Sequence, residues 1–133
     1  MISPEEFVER MCLVCADRGP RGFPRKRRDR QIVMHSILMG LDSARSYSEL
    51  EINEALKAWQ RDIAPAIETD HVTVRRHLVD YGHLERSADG GVYRVGFPPA
   101  RAVFDLEVDD IDLRATIAAY LDQQRRKPKK RPT

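Results

Sequence analysis

The chain has 133 residues, 41% of them hydrophobic, which is enough for one ordinary domain core. Its apolar runs fall well short of the roughly 20 residues that cross a bilayer, and its acidic first residues are unlike a secretory signal, so we expect a cytoplasmic protein with no membrane contact. The net charge of +2 combines +5 on residues 21–30, +6 on residues 125–131 and −9 elsewhere, and this concentrated positive charge predicts a polyanion or an acidic protein as partner.

The first predicted helix is marked by its start signals. Ser3 and Glu6 form a capping box around Pro4, which suits the first helical position. Apolar residues then recur at helical spacing, and the helix is expected over residues 4–16.

Two cysteines, Cys12 and Cys15, lie three residues apart in this helix. Their spacing suits neither a disulfide framework nor a complete zinc site, which needs four ligands. His71, His77 and His83 recur every six residues, out of phase with a single helical face, and supply no second ligand pair. We therefore expect packed thiols, no metal site and no cofactor.

The next two helices follow from a proline and a second capping box. Pro24 predicts the start of a helix whose first turns hold the basic run and whose later turns are apolar, ending near residues 40–41. Ser48 and Glu51 then cap a third helix, expected over residues 49–60.

A fourth helix leads directly into a predicted β-hairpin. Thr69 or Asp70 can cap the helix, and Gly82 ends it in the left-handed conformation. Residues 84–86 and 92–95 are short β-type runs joined by a glycine-containing turn. Helix, helix, glycine and hairpin form the order of a winged helix-turn-helix.

Two prolines, Pro98 and Pro99, close this block, and residues 101–108 are expected to form an irregular link. Asp109 or Asp110 can cap a final helix that runs to about residue 124. The predicted fold class is α+β, mostly helical, a winged helix-turn-helix with extra N-terminal and C-terminal helices. The expected segments are residues 1–22 (N-terminal helix and linker), 23–97 (winged-helix domain), 98–124 (link and C-terminal helix) and 125–133 (basic disordered tail).

Three runs of the predicted domain, FPRKRRDR, YSELEINEALKAW and TVRRHLVDYGHLERSADGGVYRV, resemble an uncharacterised bacterial winged-helix family that occurs in or beside ArsR-type transcriptional regulators. The resemblance covers residues 23–95. It implies a winged-helix fold in a regulatory context and carries no biochemical activity that could be transferred. The residues that support it are Arg75, Arg76, Leu78, Asp80, Gly82, Leu84, Arg86, Gly91, Tyr93 and Arg94.

The second helix of a winged helix-turn-helix enters the major groove, and the wing lies beside the phosphates. Arginine can bind guanine through two hydrogen bonds and threonine can contact thymine methyl groups, so we expect this helix to read base edges while the basic run and hairpin hold phosphates. The predicted DNA-binding residues are Thr73, Arg75, Arg76, His77, Arg86, Arg94, Lys26, Arg27 and Arg30.

Structural roles for the same arginines stay open. Arg76 lies four residues before Asp80 on the helix and can pair with it, and Arg86 can reach Asp80 from the hairpin. Residues 68–95 hold five acids and four arginines, so the expected reading surface is not strongly basic. The basic run could also be a solvated face.

The motifs of enzymes, such as a glycine-rich phosphate loop or a nucleophile elbow, do not occur in the sequence, so we expect no catalytic activity. Two hypotheses remain. The first is a transcriptional regulator that binds double-stranded DNA. The alternative is a winged-helix module that docks on a protein of the transcription machinery without binding DNA.

The two outer helices carry apolar stripes that need a covering partner. They could form a two-fold homodimer or pack on the same domain. The predicted dimer-interface residues are Phe7, Met11, Leu113, Ile117, Tyr120 and Leu121.

Overall fold

The structure, a computed structural model, describes residues 1–97 and 99–126. The mostly helical α+β class is confirmed, and none of the helices in these ranges has the length and apolar composition to span a bilayer. The elements in these ranges are five α-helices and three strands: α1 (Pro4–Met11), α2 (Arg27–Leu38), β1 (Tyr47–Ser48), α3 (Glu49–Asp62), α4 (His71–Asp80), β2 (Leu84–Arg86), β3 (Val92–Val95) and α5 (Leu113–Arg126).

The three strands form an antiparallel sheet in the order β1–β3–β2. Tyr47 of β1 lies opposite Tyr93 of β3, which in turn lies opposite Arg86 of β2. The hairpin strands match the prediction, whereas β1 was not predicted because two residues are too few to show an alternating pattern. A strand before two helices and a hairpin after them is consistent with a winged helix.

The helix starts follow the predicted side-chain caps at three positions. Ser3 Oγ accepts a hydrogen bond from the Glu6 amide at 3.1 Å. Ser48 and Glu51 form the complete capping box of α3. Asp70, rather than Thr69, caps α4, since its Oδ1 accepts from the Thr73 amide at 2.9 Å.

Two predicted helix starts are wrong. α2 begins at Arg27 rather than at Pro24, because the chain is still extended at Lys26. α5 begins at Leu113, where Asp112 Oδ1 accepts from the Ala115 amide at 3.1 Å.

The expected caps of that last helix, Asp109 and Asp110, instead end the 3-10 helix Leu106–Asp110, which buries Val108. A second 3-10 helix, Pro99–Val103, also lies in the region expected to be an irregular link. α1 continues as a π-helical turn over Cys12–Ala16, as far as the predicted end. Pro98 and the predicted tail from residue 127 onward lie outside the described residues.

The junction between α4 and the hairpin is a tight glycine turn. Gly82 ends α4 with a positive φ of 78°, as predicted, and the His83 amide donates to the Leu78 carbonyl at 2.8 Å. A Cβ atom at Gly96 would collide with the Gly82 carbonyl oxygen, so the end of β3 can approach this turn only as glycine. The hairpin is therefore held at a fixed angle to α4.

The N-terminal and C-terminal segments pack on each other and on α2. The Ile2 amide donates to the Val103 carbonyl at 2.6 Å, and the Ile2 carbonyl accepts from the Asp105 amide at 3.0 Å. The Phe104 ring contacts Phe7 edge-on and stacks on His35 with 4.2 Å between ring centres. Both outer segments thus belong to one shared core.

This packing corrects most of the predicted dimer interface. Phe7, Met11, Leu113 and Ile117 are buried in the core of the single chain, so they are not free to meet a second copy. Tyr120 and Leu121 are partly buried against the same core. Of the two alternatives for the outer helices, packing on the same domain is the one observed.

Two buried histidines lie in this core. His35 Nε2 is 2.7 Å from Asp109 Oδ1, and within the described residues neither His35 Nδ1 nor His83 Nδ1 has a hydrogen-bond partner. Burial lowers the pKa of both rings. For His83 the pKa falls to about 4, with the positive charges of His35 and Arg101 adding to the effect of burial.

Acid should therefore destabilise the fold through His83. The unfolded ring has a pKa of 6.5, so the unfolded chain binds the extra proton first and the free energy of unfolding falls as pH drops below about 7. Between about pH 7 and pH 5 this one group should account for a loss of about 2 kcal/mol. Urea titrations at both pH values should show the loss in the parent and a smaller pH dependence in His83→Gln.

His71→Gln, which changes a histidine at the start of α4, is the matched control and should keep the parent's pH dependence. An unchanged pH dependence in His83→Gln would contradict the assignment.

Candidate nucleic-acid interface

α4 buries one side and exposes two others. Val74 and Leu78 are buried, which anchors the helix in the core. Because residues four apart share a helical face, two further rows of side chains lie on its flanks. These rows are Thr73, His77 and Tyr81 on one flank and Val72, Arg76 and Asp80 on the other.

Arg75 turns back into the molecule. Its Nη2 lies 3.1 Å from Glu49 Oε1, and its Nη1 donates to Asn53 Oδ1, both on α3. Its guanidinium carbon lies 5.8 Å from the centre of the Tyr93 ring on β3, and its side chain is only 15% exposed. Arg75 therefore joins α4 to α3 and to the sheet, and this corrects the prediction that it reads base edges.

Arg76 and Arg86 line a groove of about 290 Å³ between α4 and the hairpin, which we call the α4–hairpin groove. Within residues 1–97 and 99–126, neither arginine has a carboxylate within 4.0 Å, so the alternative pairing of each with Asp80 does not occur. The Arg86 guanidinium packs against Gly90 of the hairpin turn. The lining residues are Val72, Arg75, Arg76, Val79, Asp80, Arg86 and Tyr93.

The two hairpin arginines lie on opposite faces of the sheet. Arg86 is directly opposite Tyr93 and shares its face, towards α4. Arg94 is the next residue along β3 and lies opposite Glu85 on the other face. Its Nε donates to Ser46 Oγ at 2.9 Å. Of the two hairpin arginines, Arg86 is therefore the one that lines the groove beside Arg76.

The basic run before and within α2 is divided between internal contacts and solvent. Arg28 pairs with Glu6, with Nη2 donating to Oε1 at 2.7 Å, and Arg30 lies over the ring of Tyr81, the residue that follows α4. Arg25, Lys26 and Arg27 are exposed and, within the described part of the chain, have no carboxylate within 4.0 Å. These three residues form the free basic segment.

The second flank of α4 faces the start of α2 across a cleft of about 380 Å³, which we call the α2–α4 cleft. The Phe23 ring stacks on His77 with 5.3 Å between centres, and the Phe23 amide donates to Thr69 Oγ1 at 2.8 Å. The guanidinium carbon of Arg30 lies 4.1 Å from the centre of the Tyr81 ring. The lining residues are Gly22, Phe23, Pro24, Arg25, Arg30, Thr69, Thr73, His77 and Tyr81.

The predicted DNA-binding residues thus fall into separate groups. Thr73, His77 and Arg30 meet in the α2–α4 cleft, where the Thr73 hydroxyl donates to Asp70 Oδ2 at 2.8 Å. Arg76 and Arg86 meet in the α4–hairpin groove. Phe23 and Tyr81, the aromatic residues of this flank, were not predicted as site residues. The one signal in the sequence is that Phe23 stands just before the basic run that begins at Arg25.

The two cysteines are buried beside the C-terminal segment. Burial raises the pKa of the Cys15 thiol to about 12, which leaves it protonated and unreactive at neutral pH. Within the described residues, no three His, Cys, Asp or Glu side chains are grouped so that they could hold a metal ion.

The groove and the cleft both lie within a segment that has relatives. Residues 21–95 match the family described as "Uncharacterized protein conserved in bacteria" (DUF2087). The chain belongs to this family. No curated protein and no solved structure matches it.

The DUF2087 segment runs from just before the basic segment to the end of β3, and therefore contains every residue of the α2–α4 cleft and the α4–hairpin groove. α1 and α5 lie outside it. The resemblance to an uncharacterised bacterial family is confirmed.

The different roles of the two adjacent arginines can be tested by stability. Arg75→Ala should lower the free energy of unfolding by about 1 to 2 kcal/mol, because it removes the charged hydrogen bonds to α3 and leaves Asn53 without its partner. Arg76→Ala should change it by less than about 0.5 kcal/mol, since the side chain is exposed. Equal effects in urea unfolding would contradict the inward placement of Arg75.

Proposed function

We propose that the chain is a transcriptional regulator of the winged-helix type that binds double-stranded DNA. In this proposal α4 enters the major groove and the β2–β3 hairpin is the wing. The observation that carries the proposal is the α4–hairpin groove, where Arg76 and Arg86 are available to an anion or to base edges. Arg75 supports this arrangement because it fixes α4 against α3 and the sheet.

The outward row of α4 suits the chemistry of base edges. Val72, Arg76 and Asp80 follow one another at intervals of four residues and are all exposed. Arginine donates to guanine, a carboxylate accepts from the cytosine amino group, and an apolar side chain contacts the thymine methyl group. This row therefore favours a site that contains a G·C pair and a neighbouring thymine.

The free basic segment would supply phosphate contacts. Arg25, Lys26 and Arg27 lie at the start of α2, beside the other flank of α4. Positive side chains at the N-terminal end of a helix are repelled by the positive end of the helix dipole, which destabilises the helix slightly. A bound anion would offset this repulsion.

The resemblance to a winged-helix family found in or beside ArsR-type regulators supports the regulatory context of the proposal. A cytoplasmic location and a dimer with two half-sites would suit such a regulator. Because the apolar faces of α1 and α5 are buried in the core of the single chain, a dimer would have to form through other, exposed residues.

The role of Arg76 can be tested by DNA binding. A polarisation titration with a pool of random duplexes, followed by selection, should yield a preferred sequence that Arg76→Ala binds at least roughly fivefold more weakly. Arg114→Ala is the matched control, because Arg114 is an exposed arginine of α5 that pairs with Asp62. This control should bind like the parent.

If Arg76→Ala binds the selected duplex as tightly as the parent, the outward row of α4 is not part of the DNA interface. If the parent binds no duplex at about 50 mM salt, where phosphate contacts are strongest, the DNA proposal is wrong. A transcription-machinery protein recovered through the same α4 surface would then favour the docking module.

The free basic segment predicts a change in salt dependence. Replacing Arg25, Lys26 and Arg27 by glutamine should weaken binding to all duplexes alike and reduce the slope of log K against log salt by about 1 for each lost phosphate contact. Titrations between about 50 and 200 mM salt measure this slope. A slope equal to the parent's would show that the segment is a solvated face.

A further inference from the structure

The α2–α4 cleft differs from the rest of the surface in its chemistry. Its described lining contains two arginines, a histidine, two threonines and a tyrosine but no acidic residue. The nearby acids are engaged elsewhere: Asp29 pairs with Arg10 at 2.9 Å, and Asp70 caps α4 and accepts from Thr73. Within the described residues, neither Arg25 nor Arg30 has a carboxylate within 4.0 Å.

The cleft is also built from fixed side chains. The guanidinium carbon of Arg30 lies 4.1 Å from the centre of the Tyr81 ring, and this cation–π contact limits the positions that its donors can take. The Phe23–His77 stack lies next to this pair, since the His77 and Tyr81 ring centres are 6.4 Å apart, and the hydrogen bond from the Phe23 amide to Thr69 Oγ1 helps to hold it in position. Arg25 lies at the rim and makes no ion pair within residues 1–97 and 99–126.

We propose that the α2–α4 cleft binds a phosphate group, with Arg30 and Arg25 as its cationic donors. A planar guanidinium donates to two phosphate oxygens at once, which a solvated lysine does not match. The volume of about 380 Å³ falls in the range of small-molecule sites, about 300 to 1,000 Å³, and so exceeds the needs of a lone phosphate. The rest of the lining includes Phe23, His77 and Tyr81, which suits a phosphate attached to an organic group.

Such a phosphate has two sources. It belongs either to a free phosphate ester, which would make the cleft a ligand site beyond the proposed function, or to the backbone of bound DNA. The second source rests on the proposed function. Thr73 lies at the border between the cleft and the outward row of α4, so a ligand in the cleft would lie beside the DNA.

The experiment is an NMR titration of the full chain that follows the His77 ring and the Arg30 Nε–H signals. The probes are inorganic phosphate, adenosine monophosphate, adenosine and a duplex DNA. Both phosphate compounds should shift these signals saturably, and adenosine should not. Arg30→Gln should weaken binding roughly tenfold or more, because it removes the paired donors.

Two further variants serve as a second test of the cleft and as a control. Arg30→Gln removes the contact with Tyr81 and can alter folding, so Arg25→Gln, at an exposed residue of the rim, tests the same site without that risk. It should also weaken phosphate binding. Arg114→Gln, remote on α5, should leave it unchanged.

Shifts with phosphate and adenosine monophosphate identify a free ester as the source. Shifts with duplex DNA alone, reduced in Arg30→Gln, identify the DNA backbone. Signals that move with none of these probes, or move equally in both cleft variants and the parent, overturn the proposal. DNA binding that needs Arg76, with no response of the cleft signals to any phosphate probe, would overturn this inference alone, whereas phosphate binding without DNA binding would overturn only the proposed function.

Discussion

The inward guanidinium of Arg75 determines which surface α4 presents. It donates to α3 and lies over the Tyr93 ring, so one side chain links two helices and the sheet. Successive residues on a helix point in directions about 100° apart, so fixing Arg75 against α3 requires Arg76 to face outward. The Gly82 turn then holds the hairpin beside that outward side. The α4–hairpin groove follows from these two constraints.

The same helix separates two regions of different chemistry. One flank exposes Arg76 and Asp80 beside the hairpin, whereas the other lines a cleft with arginine, threonine and aromatic side chains. The segments outside the DUF2087 match stabilise α2, because Phe7 and Phe104 pack against its His35 in the core. α2 thus carries the free basic segment at one end and is anchored in the core along its length.

Local signals in the sequence predicted the caps, the Gly82 turn and both hairpin strands, since each depends on a few neighbouring residues. They did not separate Arg75 from Arg76, because the inward position depends on Glu49 and Asn53, more than twenty residues away along the chain. The faces of the hairpin arginines were also missed. They depend on the strand register, which a five-residue turn does not fix from sequence. The caps of α5 were misplaced because three aspartates within four residues offered equivalent start signals.

α4 and the hairpin form one surface, with Arg75 on its inner side and Arg76 on its outer side. NMR mapping of the chain with its selected duplex tests this most directly. We expect shifts at Val72, Arg76, Asp80 and Arg86, with the Arg75 side-chain signals and the signals of α5 unchanged. Shifts centred on α1 or α5, or an Arg75 that leaves Glu49 to bind the duplex, would contradict it.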